Sequence, residues 1–352
     1  MTPLTSSKKL SDFDYELPKE LIAQDANPAR SHARLMVLNR VDHSISHRQF
    51  FQIEDYFEKG DVLVLNDTKV VPARIFAKRK SGAHVEILLL KKEKNAWKAL
   101  IKPSGRIQEK EIIVLAENSE IELEVMDSPD GQTGIRTIRF LSDHSEKILE
   151  QYGHVPLPPY IDRKDSPIDR ELYQTVFAKR PGAVASPTAG LHFDEALLSK
   201  LESKGVEILY VTLHVSYGTF QPVNSEDLSQ HEMYAEYCEL SDEVSERINF
   251  AKSDGRRIIA CGTTAMRTLE SCATDSIPSE VRAFEGMTNL FIYPPHEFKI
   301  IDAMITNFHL PKTTLLMLAS AFSGHEFLMK AYQEAISQKY RFYSYGDAML
   351  IL

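Results

Sequence analysis

Three times in this chain an apolar run passes into a helix through a loop of threonine, glycine, asparagine and histidine. The first run is Ala183-Val184-Ala185, bounded by Pro181-Gly182 and followed by Ser186-Pro187-Thr188-Ala189-Gly190-Leu191-His192-Phe193-Asp194. Asp194 suits an N-cap, Leu197, Leu198 and Leu201 follow at helical spacing, and Lys204-Gly205 supplies a basic last turn and a C′ glycine. The β-branched run Val206 to Val215 then predicts a second strand, completing a βαβ unit. The second case is Arg257 to Cys261, then Gly262-Thr263-Thr264 and a helix carrying Met266, Leu269 and Cys272. The third is Ala303-Met304-Ile305, then Thr306-Asn307-Phe308-His309-Leu310-Pro311, then the apolar helix Thr314 to Phe322. Parallel strands with right-handed crossovers would carry all these loops to one sheet edge. Ligands of open α/β sheets bind on that edge, where helix N-termini offer unpaired N–H groups and favour negative charge. One such loop alone reads better as a tight turn, with His192 packed on Phe193. Three on a shared edge favour a polar ligand site.

A chain of 352 residues with 43% hydrophobic content can build one large or two ordinary cores. No apolar run approaches the ~20 residues of a membrane span, and Met1 to Leu10 carries no secretory h-region. The cysteines are Cys238, Cys261 and Cys272, with no C-x-x-C pair, so a reducing cytoplasm and no disulfide frame or zinc ribbon are expected. The histidines show no H-E-x-x-H spacing, and no metal is expected. A monomer is expected.

Along the N-terminal stretch the pattern predicts a short helix from Lys19 to Gln24, a strand over Arg34 to Asn39, and a turn at His43 to His47 leading to another strand. A helix follows over Phe50 to Phe57, then a strand over Asp61 to Leu65. From Val70 to Phe140 the period changes to two. The runs Ala73–Ala77, Val85–Leu90, Ala96–Ile101, Ile112–Ala116, Ile121–Met126 and Ile135–Phe140 alternate, separated by Gly, Pro, Ser and Asp clusters. Six such strands without a helix predict a small closed barrel, with the lone Trp97 packed inside it or, alternatively, stacking on a base. A helix over Ser145 to Tyr152 and the proline-rich return His154 to Ile161 bring the chain back. The expected fold is therefore α/β: a body with a largely parallel sheet flanked by helices (residues 1–68 and 152–352), plus an inserted six-stranded antiparallel β-barrel (69–151). A helix over His325 to Gln338 and a buried strand over Ala348 to Leu352 close the chain.

Net charge is −9, yet Lys69 to Lys110 holds twelve Lys and Arg against three Glu, a local +9. That fits a footprint for a polyanion, and equally a solvated lysine face guarding strand edges.

Several stretches taken together resemble one family. These are Tyr15 to Pro18 with Leu21 to Gln24, Asn66 to Arg74, Val155 to Ile161, Pro187 to Phe193, Gly262-Thr263-Thr264 with Arg267 to Glu270, Thr306 to Pro311, and Tyr345 to Met349. They are similar, in order and over nearly the whole chain, to the S-adenosylmethionine:tRNA ribosyltransferase-isomerase family of queuosine biosynthesis. Tyr234, Pro295-His296, Ser216-Tyr217, Ser31 and Ala33 depart from its pattern, outside the three loops. The resemblance implies transfer of the ribosyl part of S-adenosylmethionine to the aminomethyl group of a 7-deazaguanine base at the tRNA wobble position. The sugar rearranges to an epoxycyclopentanediol, giving epoxyqueuosine, and adenine and methionine leave. The cosubstrate is consumed, so no resident cofactor is expected; the partners are that tRNA and S-adenosylmethionine, with no membrane.

Such chemistry needs a base for a C5′ proton, and histidine suits it. His192 is the first candidate, with His214 and His309, while Asp67 could take a ribose hydroxyl or the amine, or merely cap a turn. Thr188, Gly190, Gly262, Thr263, Thr264 and Asn307 are the candidates for holding S-adenosylmethionine. Arg74, Lys78, Arg79, Lys102 and Arg106 are the candidate tRNA phosphate contacts. An anticodon base could stack on Tyr217, Phe308 or Tyr345. The rival classes are another S-adenosylmethionine-dependent RNA-modifying enzyme, an enzyme acting on the free base, or a non-catalytic RNA-binding protein. A methyltransferase would need a glycine-rich loop after its first strand, and no G-x-G-x-x-G occurs.

Overall fold

The computed structural model describes residues 9–131, 133–216, 218, 223 and 225–352. In chain order the strands begin with β1 (Arg34–Leu38), β2 (Ile45–Gln49), β3 (Val62–Asn66) and β4 (Thr68–Val70). The next are β5 (Arg74–Lys78), β6 (His84–Glu93), β7 (Ala96–Lys102), β8 (Ile112–Leu115), β9 (Glu122–Val125) and β10 (Arg136–Phe140). Helices α1 (Ser145–Tyr152) and α2 (Asp169–Leu172) lead to β11 (Arg180–Ala183), α3 (Glu195–Lys204), β12 (Glu207–Leu213), β13 (Glu236–Leu240) and α4 (Asp242–Ser253). The rest is β14 (Ile258–Cys261), α5 (Gly262–Cys272), β15 (Phe284–Thr288), β16 (Ala303–Asn307), α6 (Thr314–Ser323), α7 (His325–Ser337) and β17 (Ala348–Ile351).

Among the described residues nine strands form one sheet, ordered β15-β13-β12-β3-β14-β16-β17-β1-β2. Its centre, β12-β3-β14-β16, is parallel, as is the β17–β1 pair; the other pairings are antiparallel. Alternation sorts the sheet's side chains between two cores. Met36, Val64, Ala260 and Met304 point to the face covered by α4, α5, α6 and α7. Leu35, Leu63, Ile259 and Ile305 point to the face covered by α3 and a 3-10 turn at Phe50–Tyr56. The last strand, β17, is fully buried between β16 and β1, as its uninterrupted apolar sequence requires.

The six alternating runs close into the barrel β10-β7-β6-β5-β8-β9, with every pairing antiparallel. Ile75, Ile87, Ala99, Ile113, Leu123 and Ile138 fill it, and Trp97 packs among them. Arg136, fully buried, plugs one end by donating to the carbonyls of Asp127, Ser104 and Ile107.

Some local expectations are corrected. The strand before Thr188 does not join the large sheet: β11 pairs only with β4, in a separate two-stranded sheet, so residues 183–215 are not a βαβ unit of one sheet. Pro181 has no N–H for a second ladder. A Cβ on Gly182 would lie 2.6 Å from His214 Nε2, so the small strand packs against the rim of the large one. Phe50 to Tyr56 is a 3-10 turn, which puts the buried Phe50 and Ile53 on one side. The helix predicted over Lys19 to Gln24 shrinks to a 3-10 turn at Lys19–Leu21. By contrast α3 has the predicted ends: Asp194 accepts from Leu197 N–H at 2.8 Å, and Gly205 takes φ +91°.

Candidate active site

Because β12, β3, β14 and β16 run parallel, their C-terminal ends share one rim. Asn66 ends β3, Gly262 opens α5 directly after β14, and Asn307 ends β16. β17 runs the other way, so the turn holding Tyr343 and Ser344 before it meets the same rim. The 3-10 turn Thr188–His192 covers it from above, following the small sheet.

These segments enclose a cavity of about 630 Å³, counting its open mouth, lined by Thr188, Gly262, Thr263, Thr264, Asn307 and His309 among others. Tyr173, Ser186, Arg267, Thr306, Tyr343 and Ser344 complete the polar part of the wall. Among the described residues Ser186 Oγ, Thr264 Oγ1 and Arg267 Nη2 are buried with no hydrogen-bond partner. The Tyr173 hydroxyl, close to Ser344 and Ser186, forms no bond of good geometry to either. Buried groups of this kind ordinarily find partners, so their concentration on one cavity wall marks a surface built for a polar ligand. α5 adds its N-terminus, which has no side-chain cap.

Asn307 is the best-fixed polar group of the wall. Its Oδ1 accepts from Thr188 Oγ1 at 3.4 Å, and its Nδ2 donates to the Tyr343 carbonyl at 3.0 Å. The same Nδ2 faces His192 Nε2 at 3.2 Å, which makes that nitrogen an acceptor and puts the His192 proton on Nδ1. Tyr343 sits at φ +74°, a left-handed backbone that a tyrosine seldom adopts.

His192 itself is not on the wall of this cavity. It lies behind Asn307, its ring 5.0 Å from that of Phe50, and borders a smaller neighbouring hollow with Arg30 and Tyr345. Burial, helped by Arg30 and Arg341, pushes its pKa down to about 3. His309 does line the cavity. Its Nε2 meets Thr306 Oγ1 at 2.8 Å, and burial lowers its pKa to about 3 as well. Gly190 serves packing: a Cβ there would come within 2.8 Å of the Phe177 ring and 2.9 Å of Thr175.

Asp67 and His214 form a separate knot along the rim. Asp67 Oδ1 accepts from Thr212 Oγ1 at 2.6 Å, and His214 Nδ1 meets Thr68 Oγ1 at 2.8 Å while its ring stacks on Tyr237. Phe308 is fully enclosed among Tyr332, Tyr340 and Phe342, and Tyr345 is buried with its hydroxyl on Asp169, so neither presents a face to a base. Tyr217 lies outside the described residues.

A second, wider cavity of about 1,240 Å³, again counting its mouth, separates the barrel from the body. Val71, Pro72, Trp97 and Leu149 line one side, and Tyr173, Gln174, Lys179 and Pro181 the other. Tyr173 therefore borders both cavities.

Of the basic candidates, Arg79 is spent on a bidentate pair with Glu111 (2.6 and 2.9 Å), and Arg74 on Glu86 and the Leu157 carbonyl. Lys102 and Arg106 are exposed, and Lys78 points outward from β5. The +9 of residues 69–110 is offset by acids that follow it, so residues 69–151 carry only +2. Glu122 and Glu124 are on β9, while Lys78, Lys98 and Lys102 are on β5 and β7, with Glu86 and Glu93 on β6 between them.

Comparison with known proteins decides the family. A model described as "Queuosine biosynthesis protein" matches residues 10–351. The chain belongs to this family. It is 49% identical over 346 residues to the S-adenosylmethionine:tRNA ribosyltransferase-isomerase of Sulfurihydrogenibium sp. (strain YO3AOP1), covering 98% of this chain and 100% of that one. The protein of the same name from Aquifex aeolicus (strain VF5) is 48% identical over 345 residues, with the same coverage. The crystal structure of S-adenosylmethionine tRNA ribosyltransferase from Thermotoga maritima is similar at a TM-score of 0.55 and 38% identity, over 97% of this chain and 100% of that one. The barrel and mixed sheet described above are thus the architecture of a queuosine biosynthesis protein. Among the described residues no helix is long and apolar enough to cross a membrane, and no cluster of His, Cys, Asp and Glu is arranged to hold a metal ion.

Sequence reasoning gave no site role to six polar members of the cavity wall: Tyr173, Ser186, Arg267, Thr306, Tyr343 and Ser344. Ser186 adjoined a quoted motif and Ser344 lay in the loop before the last strand, so proximity was a signal. Tyr173 gave none, because the short helix α2 that it caps has no periodicity to read.

Proposed function

We propose that this protein transfers the ribosyl moiety of S-adenosylmethionine to the aminomethyl group of a 7-deazaguanine base at the tRNA wobble position. It rearranges that sugar to the epoxycyclopentanediol of epoxyqueuosine and releases adenine and methionine. Family membership supports the reaction. The observation that carries it to a place in the molecule is the cavity whose wall holds several buried, unpartnered polar groups beside the start of α5.

In this reading Thr188 and Asn307 hold the ribose hydroxyls, and Thr263 and Thr264 hydrogen-bond the cosubstrate from the first turn of α5. His309 takes the C5′ proton that the adjacent sulfonium acidifies. Burial keeps it neutral, as a proton acceptor must be, and the negative charge of an incoming carboxylate and phosphodiester raises its affinity for the proton. His192 is a positioning residue, fixing the Asn307 amide through Nε2. The tRNA lies against the β5–β7 side of the barrel, on Lys78, Lys102 and Arg106, with the modified base in reach of the wider cavity. The enzyme works in the cytoplasm as a monomer, with no resident cofactor.

The test is incubation with S-adenosylmethionine and tRNA bearing the aminomethyl-deazaguanine, followed by chromatography. Release of adenine and methionine together, only with the modified tRNA, is the expected result. Methylated tRNA with S-adenosylhomocysteine would replace this reading by a methyltransferase. Full activity on the free base would remove tRNA from it.

A further inference from the structure

Arg267 is 5% exposed and belongs to α5, one turn after Thr263 and Thr264. Two of its nitrogens are committed: Nη1 donates to Glu236 Oε2 and Nε to the Leu290 carbonyl at 3.1 Å. Glu236 in turn accepts from Ser216 N–H at 2.8 Å. The guanidinium is thus locked in place with one edge satisfied. Its Nη2 is buried, has no partner among the described residues, and belongs to a side chain on the cavity wall. Thr264 Oγ1, also unpartnered, lines the same cavity, and so does the uncapped start of α5.

A fixed guanidinium donor, a free hydroxyl and a helix N-terminus converging on one buried corner form a receptor for a small carboxylate. S-adenosylmethionine carries one carboxylate, on its amino-acid end. We propose that Arg267 Nη2, with Thr264 and the first turn of α5, binds that carboxylate and so fixes which way the cosubstrate lies. The methionine end then rests against α5, and the ribose reaches Asn307 and His309. This rests on the reading of the cavity as the S-adenosylmethionine site. The methionine carboxylate makes the same contact in the product, so free methionine competes for the same corner.

Calorimetry on the full chain tests it, with S-adenosylmethionine and decarboxylated S-adenosylmethionine as ligands. Wild-type protein should prefer the carboxylated form by about tenfold to a hundredfold. In Arg267→Gln combined with Glu236→Gln, which removes both charges and leaves no unpaired acid, the preference should fall to within about threefold, while tRNA affinity is unchanged. Equal affinity of the wild-type protein for the two ligands overturns the proposal without any variant having to fold. If S-adenosylmethionine still binds and reacts in that case, the reading of the cavity survives and only the role of Arg267 fails. If S-adenosylmethionine does not bind at all, both fall. A loss of tRNA affinity in the double variant, with cosubstrate binding intact, would assign Nη2 to a phosphate and likewise overturn it.

Discussion

His309 lies two residues after the end of β16 and His192 three before the start of α3, and both are buried, but His309 lines the cavity while His192 sits behind Asn307. That difference sorts their roles. His309→Ala should lower turnover by about 10²–10⁴-fold, as loss of a general base does, with S-adenosylmethionine affinity changed only a few-fold. His192→Ala should act through the loosened amide, weakening cosubstrate binding about tenfold with a smaller loss of turnover. Steady-state kinetics beside calorimetry separate the two, and the reverse pattern would exchange the assignments. Their titration has a second consequence. Both are held neutral by burial, with pKa about 3 against an ordinary value near 6.5. A group whose folded pKa is depressed binds protons more readily when the chain unfolds. Its contribution to stability is therefore complete above pH 6.5 and is lost as pH falls toward 3. Urea unfolding at pH 7.5 and 4.5 should show a difference that shrinks by about 2 kcal/mol in His309→Gln. An unchanged difference would mean that this side chain is hydrated in the native state.

Helix α5 gathers more of the cavity than any other element, and its first residue has a left-handed φ of +88°. A Cβ at Gly262 has room, its nearest neighbours being 3.6 Å away, so the cost of Gly262→Ala is conformational. It should be about 1–2 kcal/mol, read in the melting curve, with weaker S-adenosylmethionine binding because the first turn shifts. On the barrel, Lys78→Glu, Lys102→Glu and Arg106→Glu together should weaken tRNA binding and reduce its salt slope by about 0.7–0.9 per lost phosphate contact. Arg79→Glu should chiefly destabilise the barrel, since it opposes Glu111. A salt slope that stays the same in the triple variant would move the nucleic acid to another face. Elements were the scale at which the sequence spoke most clearly. Strict alternation gave all six barrel strands, and cap chemistry gave both ends of α3. Period and caps are local properties. What they do not encode is which sheet a strand joins: the run Ala183 to Ala185 is apolar enough for the large sheet, but the strand that forms is Arg180–Ala183, paired with β4 in the small one. Nor could a window of charge foresee that Glu111 and Glu146 would fold back onto Arg79 and Lys92. The candidate site was legible as loops, through Thr188, Thr264 and Asn307. The choice among histidines was not, because a strand end and the wall of a hollow beside it differ by one side chain's depth.

At the scale of the whole molecule the barrel and the body meet where Val184 packs into the barrel core and Arg74 bridges to His154. The return chain passes so close to the barrel's entry that a Cβ on Gly153 would lie 2.1 Å from the Pro72 carbonyl and 2.4 Å from that of Leu149. Arg170 of α2 donates to the Glu150 and Gly153 carbonyls, tying α1 to the body. Gly153→Ala collides with backbone on both sides and should cost about 3–5 kcal/mol. Limited proteolysis should then cut between barrel and body, and tRNA affinity should fall while S-adenosylmethionine binding persists. A melting temperature equal to the wild type would show that the two parts re-seat freely.

The position of β17 has a consequence for how this chain comes to exist. The hairpin of β1 and β2 is hydrogen-bonded to the rest of the large sheet through β17, which follows every other described strand in the chain. Until residues 348–351 have been made, the hairpin has no strand of the sheet to pair with, and β1 takes its place only when β17 lies between it and β16. Strands far apart in the chain thus pair beside β16, whose end carries Asn307, and that side of the rim is completed only once both have been made.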